Sequence, residues 1–201
     1  KRRLRNMAAF GVPVVVSINR FTADTDAEIS AISNAAQESG ASSVCITEVH
    51  AKGGEGGQDL AHAVVRAVQD HVAAGRPFVP LFTPETDVLA KAESIAHRLY
   101  KADGLEMTAK AQRELERIRS WGYGHLPICM AKTQYSFSHD ASRLGAPTGF
   151  TIPVREFRLN AGAGFVVAVL GNMMTMPGLP KRPAALDMDM DEDGNLMGVF
   201  G

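Results

Sequence analysis

Two rings in this sequence each follow directly on an apolar, β-branched run: Phe21 after Val12-Pro-Val-Val-Val-Ser-Ile18, and His50 after Ser43-Val-Cys-Ile-Thr47. Both rings thus stand at strand ends, where an open parallel sheet presents its ligands. Asn19 places an amide beside Phe21, a group that can both donate and accept. Directly after His50 comes Lys52-Gly-Gly-Glu-Gly-Gly57, which leads into a helical pattern. Gly53 and Gly54 there, with Lys52 at the head of the loop, would leave backbone N–H groups open to an anion or to the face of a flat ligand. Lys132, in Met130-Ala-Lys-Thr-Gln-Tyr-Ser136, lies just past another apolar run and is suited to a phosphate or carboxylate. Each residue also has a structural reading: a core aromatic for Phe21, a loop histidine for His50, a flexible connection for the glycines and a surface lysine for Lys132.

Other constellations fail on geometry. Ser138-His-Asp140 is no triad, because adjacent residues cannot present side chains in the relay arrangement that acyl transfer needs. Asp187-Met-Asp-Met-Asp-Glu-Asp-Gly194 imitates a calcium loop, but counting from Asp189 the twelfth position is Phe200, where a bidentate glutamate is required. A hairpin turn at Asp193-Gly194 with solvated acids is the expectation there. A phosphate-binding loop of the form Gly-x-x-x-x-Gly-Lys-Ser/Thr is absent from these residues.

The elements that must position the candidates follow from periodicity. The run 12–18 reads as a strand covered on both faces of a parallel sheet. A helix capped by Asp24 or Thr25 follows, with Ile29 and Ile32 beside Ala27, Ala31 and Ala36, ending at Ser39-Gly40. A second strand over 43–47 and a second helix over 59–73, with Leu60, Val64, Val65 and Val68 on one side, complete the rhythm of an open parallel α/β sheet. Ligands of such sheets collect beyond the carboxyl ends of the strands, where Asn19-Arg20-Phe21 and Glu48-Val-His50 lie. Gly75-Arg-Pro-Phe-Val-Pro80 breaks the rhythm, and 1–76 and 77–201 are read as separate domains. The second opens with helices over 86–101, capped within Thr83-Pro-Glu-Thr86, and over 108–121, whose alternating charges read as a solvated face. Strands follow at 126–131, 150–157 and 164–170, then a Pro-Gly turn at 177–178.

Composition is that of a soluble globular protein: 201 residues, 45% hydrophobic and 21% charged. A net charge of −1 gives no electrostatic footprint for nucleic acid or an anionic membrane, so neither is an expected partner. The basic cluster Lys1-Arg2-Arg3 with Arg5 reads as the solvated end of a helix already under way. Cys45 and Cys129 sit in apolar runs and read as buried free thiols, with no zinc spacing. With neither a membrane span nor a secretory leader visible, the expected location is cytoplasmic.

Three uncommon stretches are more telling than any bulk property: Glu48-Val-His-Ala-Lys-Gly-Gly-Glu-Gly-Gly57, Met130-Ala-Lys-Thr-Gln-Tyr-Ser-Phe-Ser138, and Asn160-Ala-Gly-Ala-Gly-Phe165 running on to Asn172-Met-Met-Thr-Met-Pro-Gly-Leu-Pro-Lys181. In that order they make the chain, from about Phe10 to Gly201, resemble formate–tetrahydrofolate ligase. The resemblance implies an α/β fold with the second half of a P-loop NTPase-like open parallel sheet in 1–76, followed by a smaller mixed α/β domain in 77–201. It implies an ATP-dependent ligase making 10-formyltetrahydrofolate from formate and tetrahydrofolate by way of formyl phosphate, with magnesium and a monovalent cation, in a homotetramer. It also implies that the chain is the C-terminal piece of a longer enzyme, working with the remainder of its own polypeptide and inactive alone. Catalytic residues are then expected before Lys1. The family sandwiches its ring between two aromatics; Phe21 matches one, but His50 stands where the pattern Val-Trp-Ala-Lys-Gly-Gly carries tryptophan. A non-catalytic α/β module that binds a partner or ligand is the alternative, favoured by His50 and by the missing phosphate loop.

Overall fold

The computed structural model of the chain describes residues 1–173, 182–194 and 196–198. These fall in two compact units, Lys1–Gly171 and Asn172–Gly201. Helix α1 (Arg2–Ala8) leads into strand β1 (Val15–Asn19), helix α2 (Asp26–Glu38), strand β2 (Ser43–Thr47), the single turn α3 (Val49–Lys52), a 3₁₀ turn over Gly53–Gly57 and helix α4 (Gln58–Ala73). β1 and β2 pair in parallel, from Val15 opposite Ser43 to Asn19 opposite Thr47, the pairing that a helical crossover demands. β1 begins at Val15 rather than Val12. Pro13 has no N–H to give, and Val14 is held by Ser42, whose N–H donates to the Val14 carbonyl at 2.8 Å. α2 opens on a capping box: Thr25 accepts from the Glu28 N–H while Glu28 accepts from the Thr25 N–H.

The burial differs from the sequence reading. Only Ile18 of β1 is buried, so this strand is not covered on both faces here. In α2, Ile29 and Ala36 are buried while Ile32 is half exposed. In α4 it is Ala63 that is buried, and Val64, Val65, Val68 and Val72 face outward. Alanine lets the helix lie close on β1 and β2, and a helix resting on one sheet turns residues one position further round its axis to solvent.

The rest of the first unit is built on a four-stranded sheet in the order β3-β5-β6-β4, with β3 (Gly104–Met107), β4 (Ile128–Ala131), β5 (Thr151–Asn160) and β6 (Phe165–Leu170). β3 with β5 and β4 with β6 are parallel, whereas β5 and β6 form an antiparallel hairpin across residues 161–164. The fold is therefore α/β with a mixed, mostly parallel sheet. Helices α5 (Val88–Ile95) and α6 (Ala109–Ser120) supply Val88, Leu115 and Ile118 to a core shared with Ile152, Val154, Phe157, Val166 and Leu170. Burying each large aliphatic side chain contributes about 1.5–3 kcal/mol.

Asp87, not Thr86, caps α5, accepting from the Leu89 N–H at 2.9 Å, while Thr83 and Thr86 bond to each other. The Asp87 carboxylate also takes both the Nε and an Nη of Arg119, so this α6 charge is tied rather than merely solvated. Lys91 is almost fully buried, its ammonium donating to the carbonyls of Pro84 at 2.7 Å and His125 at 2.5 Å. A π-turn over Ala96–Tyr100 closes α5, with Lys101 in the left-handed region at φ 59°.

Two further expectations are corrected. Cys129 is exposed and Cys45 partly so: Ile128 and Met130 turn toward the core, which puts Cys129 on the opposite face of the edge strand β4. The basic cluster is more than a solvated helix end, since a guanidinium nitrogen of Arg2 is buried and Arg3 lies over the Phe137 ring at 5.8 Å. In the second unit, β7 (Asp189–Met190) and β8 (Leu196–Met197) form the expected antiparallel hairpin, with Gly194 at φ 83° in its turn. The Pro-Gly turn at 177–178 lies outside the described residues.

Candidate functional site

The carboxyl ends of β1 and β2 bring most of the sequence candidates together. Thr47, almost fully buried, donates to Asn19 Oδ1 at 2.9 Å, and the Arg20 N–H donates to the Thr47 carbonyl at 2.9 Å. Asn19 is thus a strut between the strand ends, its carbonyl oxygen already engaged. Immediately beyond, Asp24 Oδ2 accepts from the Phe21 N–H at 2.8 Å, and the Asp24 N–H donates to the Phe21 carbonyl at 3.1 Å. This tight turn holds the Phe21 backbone while leaving 53% of the residue exposed.

From β2 the chain enters α3, which presents His50. The Phe21 and His50 rings meet at a centroid separation of 5.6 Å, tilted by 48°. They face each other from neighbouring parallel strands, yet they touch. Two stacking contacts of about 3.5 Å each set the opening a flat ligand requires at about 7 Å, so either ring must swing to admit one.

The glycine stretch is not the open loop that its composition predicts. It is wound into a 3₁₀ turn, and the Glu48 N–H donates to the Gly56 carbonyl at 3.1 Å. A Cβ on Gly56 would lie 2.6 Å from the Glu48 backbone, so only glycine permits this close return. Gly53 and Gly54 have open space where a side chain would be.

Lys52 is occupied as well. Its ammonium bonds Glu48 Oε2 at 2.6 Å, one helical turn back; that contact holds the Glu48 carboxyl below its ordinary range and the Lys52 ammonium above its own. Arg20 adds a weaker pull on Glu48 and pairs with Asp26 at 2.7 Å. The ring pair is therefore bordered by two exposed, mutually compensated ion pairs. Arg20 and Glu48 lie in the two stretches just past each strand to which the sequence points, but their pairing with Asp26 and Lys52 is seen only in the structure.

Lys132 belongs to a different place. Its ammonium donates to the carbonyls of Thr133, at 2.7 Å, and Ser136, and lies 5.2 Å over the Tyr100 ring. It lines a cleft of about 510 Å³ with which Asn19, Phe21, His50 and the glycine turn have no lining residue in common. Another cleft, about 560 Å³, opens at the amino ends of β1 and β2 beside Gly40, Ser42 and His71, the opposite end from the ring pair. Neither of these two clefts includes the Phe21–His50 pair. What marks it is the meeting of two rings at adjacent strand ends.

The chain matches the family model described as formate–tetrahydrofolate ligase over residues 1–200. It is 49% identical over 199 residues to the formate–tetrahydrofolate ligase of Paracoccus denitrificans, covering 99% of this chain and 35% of that protein. It is 52% identical over 194 residues to that of Lactiplantibacillus plantarum, covering 96% of this chain and 34% of that protein. The chain thus spans about a third of the length of the curated relatives it matches. Near-half identity along almost every residue, on an α/β framework that carries the paired rings, means that this chain belongs to the formate–tetrahydrofolate ligase family.

Proposed function

We propose that this chain is the C-terminal portion of an ATP-dependent ligase that joins formate to tetrahydrofolate, and that Phe21 and His50 wall its pocket for a flat heteroaromatic ring. The ring is the folate pterin or the nucleotide base. Family membership supports the reaction; the contact of the two rings at the ends of β1 and β2 is the observation that carries the pocket. On this reading formate attacks the γ-phosphate of ATP to give formyl phosphate and ADP. The folate amine then attacks the formyl carbon, losing a proton as phosphate departs.

Phosphoryl transfer depends on backbone donors and cations that cradle phosphates. The phosphate loop that would supply them is absent from these 201 residues, so that step is assigned to the remainder of the polypeptide and the isolated chain is expected to be inactive. Residues 1–76 are read as the closing part of a P-loop-like α/β domain and 77–201 as a mixed α/β domain, in a cytoplasmic homotetramer. Magnesium and a monovalent cation belong to the same reading. Among the described residues no cluster of three or more His, Cys, Asp or Glu side chains could hold a metal ion.

Side chains here have positioning roles. Phe21 and His50 would hold the ring, Asn19 and Thr47 keep their strand ends together, and the turn closed by Gly56 sets the height of His50. Steady-state kinetics of the whole parent protein test the pocket. Phe21→Ala is expected to raise KM for tetrahydrofolate or ATP about tenfold, because one stacking wall is removed. Unchanged KM for both substrates would overturn it.

A further inference from the structure

The cleft around Lys132 lies at the carboxyl end of β4, where the chain leaves the strand for the segment 132–150. Two cations face it, Arg3 from α1 and Lys132, together with Tyr100, Gln134, Tyr135 and Phe137. Among the described residues neither cation has a carboxylate partner, and no Asp or Glu lines the cleft. That separates it from the ring pair, where each cation has its acid within 2.7 Å. Two of the three donors of the Lys132 ammonium are taken by the Thr133 and Ser136 carbonyls, which aim the group and leave one donor over. The Arg3 guanidinium rests on the Phe137 ring, which uses its face and leaves its edge N–H groups available. Burial, and after it the positive charge of Arg3, pushes the Lys132 pKa down.

Like charges brought together without an intervening acid repel, and the repulsion is relieved when an anion sits between them. We propose that this cleft binds a small oxyanion, the phosphate or carboxylate group of a ligand, between the Arg3 guanidinium and the Lys132 ammonium. Tyr100 and Tyr135 give it a polar-tipped aromatic wall for the uncharged part of that ligand. Its volume of about 510 Å³ is that of a small-molecule site. The inference stands apart from the ring pocket, so either can fail alone.

The test is calorimetric titration of the whole parent protein, and of its Arg3→Gln variant, with inorganic phosphate and, separately, with glutarate. Saturable binding of either anion that weakens with added salt is expected; phosphate alone would indicate a phosphate-bearing ligand, glutarate alone a carboxylate-bearing one. Arg3→Gln should weaken binding at least about tenfold through the loss of a charge-assisted contact, whereas Arg113→Gln, on the exposed side of α6, should leave it unchanged. Lys132→Met also releases Thr133 and Ser136 and can unfold the segment, so Arg3→Gln, an exposed substitution, decides the matter. Absence of saturable binding of both anions, or binding that Arg3→Gln does not weaken, would overturn the proposal.

Discussion

At the scale of the residue, the distinctive feature is an imidazole where the resemblance to the family implies an indole. His50 meets Phe21 at 5.6 Å, but its ring offers a smaller face to anything inserted between them. His50→Trp in the parent protein is expected to tighten binding of the ring ligand by about 0.5–1.5 kcal/mol, close to tenfold at the upper end. Equilibrium titration checks this, and equal affinities would remove position 50 from the pocket. Phe21 and His50 could be picked out from sequence because both follow β-branched runs, and a run's end is where a parallel sheet presents its ligands. What Lys52 and Lys132 do could not. Lys52 is claimed by Glu48 a turn away, and Lys132 by carbonyls of Thr133 and Ser136 whose directions depend on how the loop folds. Tyr100 reaches the Lys132 cleft through a π-turn that no residue pattern announces.

Among elements, the hinge of the mixed sheet is β5, which pairs in parallel with β3 and antiparallel with β6 and slips register between Val154 and Glu156. Side chains of α6 take up the irregularity. Glu114 Oε2 accepts from the Phe157 N–H at 2.9 Å, and Glu156, nearly buried, is gripped by Lys110 and Arg158. Lys110 first, then Arg158, hold the Glu156 carboxyl below its ordinary value. A depressed folded pKa means that the unfolded chain takes up the proton first. The stabilisation is therefore complete above the ordinary glutamate value of about 4.3 and is lost as pH falls through the lower folded value. Urea midpoints should show wild type more stable than Glu156→Gln at about pH 6, with the difference shrinking as pH falls below about 4. A difference that stays constant or widens would mean that the carboxylate charge does not hold the bulge.

The strand–helix rhythm of residues 15–73 was legible because period and caps agree, as at Thr25 and Glu28. The strand order β3-β5-β6-β4 was not, since 128–131, 151–160 and 165–170 read as strands whichever neighbour they take. The cap at Asp87 was missed for a related reason. Thr83 and Thr86 have the right types, but tertiary contact with Arg119 favours the acid.

For the whole molecule, the first unit turns apolar residues outward, among them Ile32 of α2 and Val64, Val68 and Val72 of α4. The three valines recur one turn apart along α4, and a contiguous apolar stripe left exposed is the mark of a surface made to be covered. The chain spans about a third of its relatives' length, so the proposed ligase activity and ring pocket concern a longer protein. The central claim is that this pocket lies between Phe21 and His50. A crystal structure of the parent protein with tetrahydrofolate or ATP tests it most directly. The account predicts a flat ring seated between the two side chains, with their centroids moved apart from 5.6 Å to about 7 Å; a ligand ring bound elsewhere, with Phe21 and His50 still in contact, would contradict it.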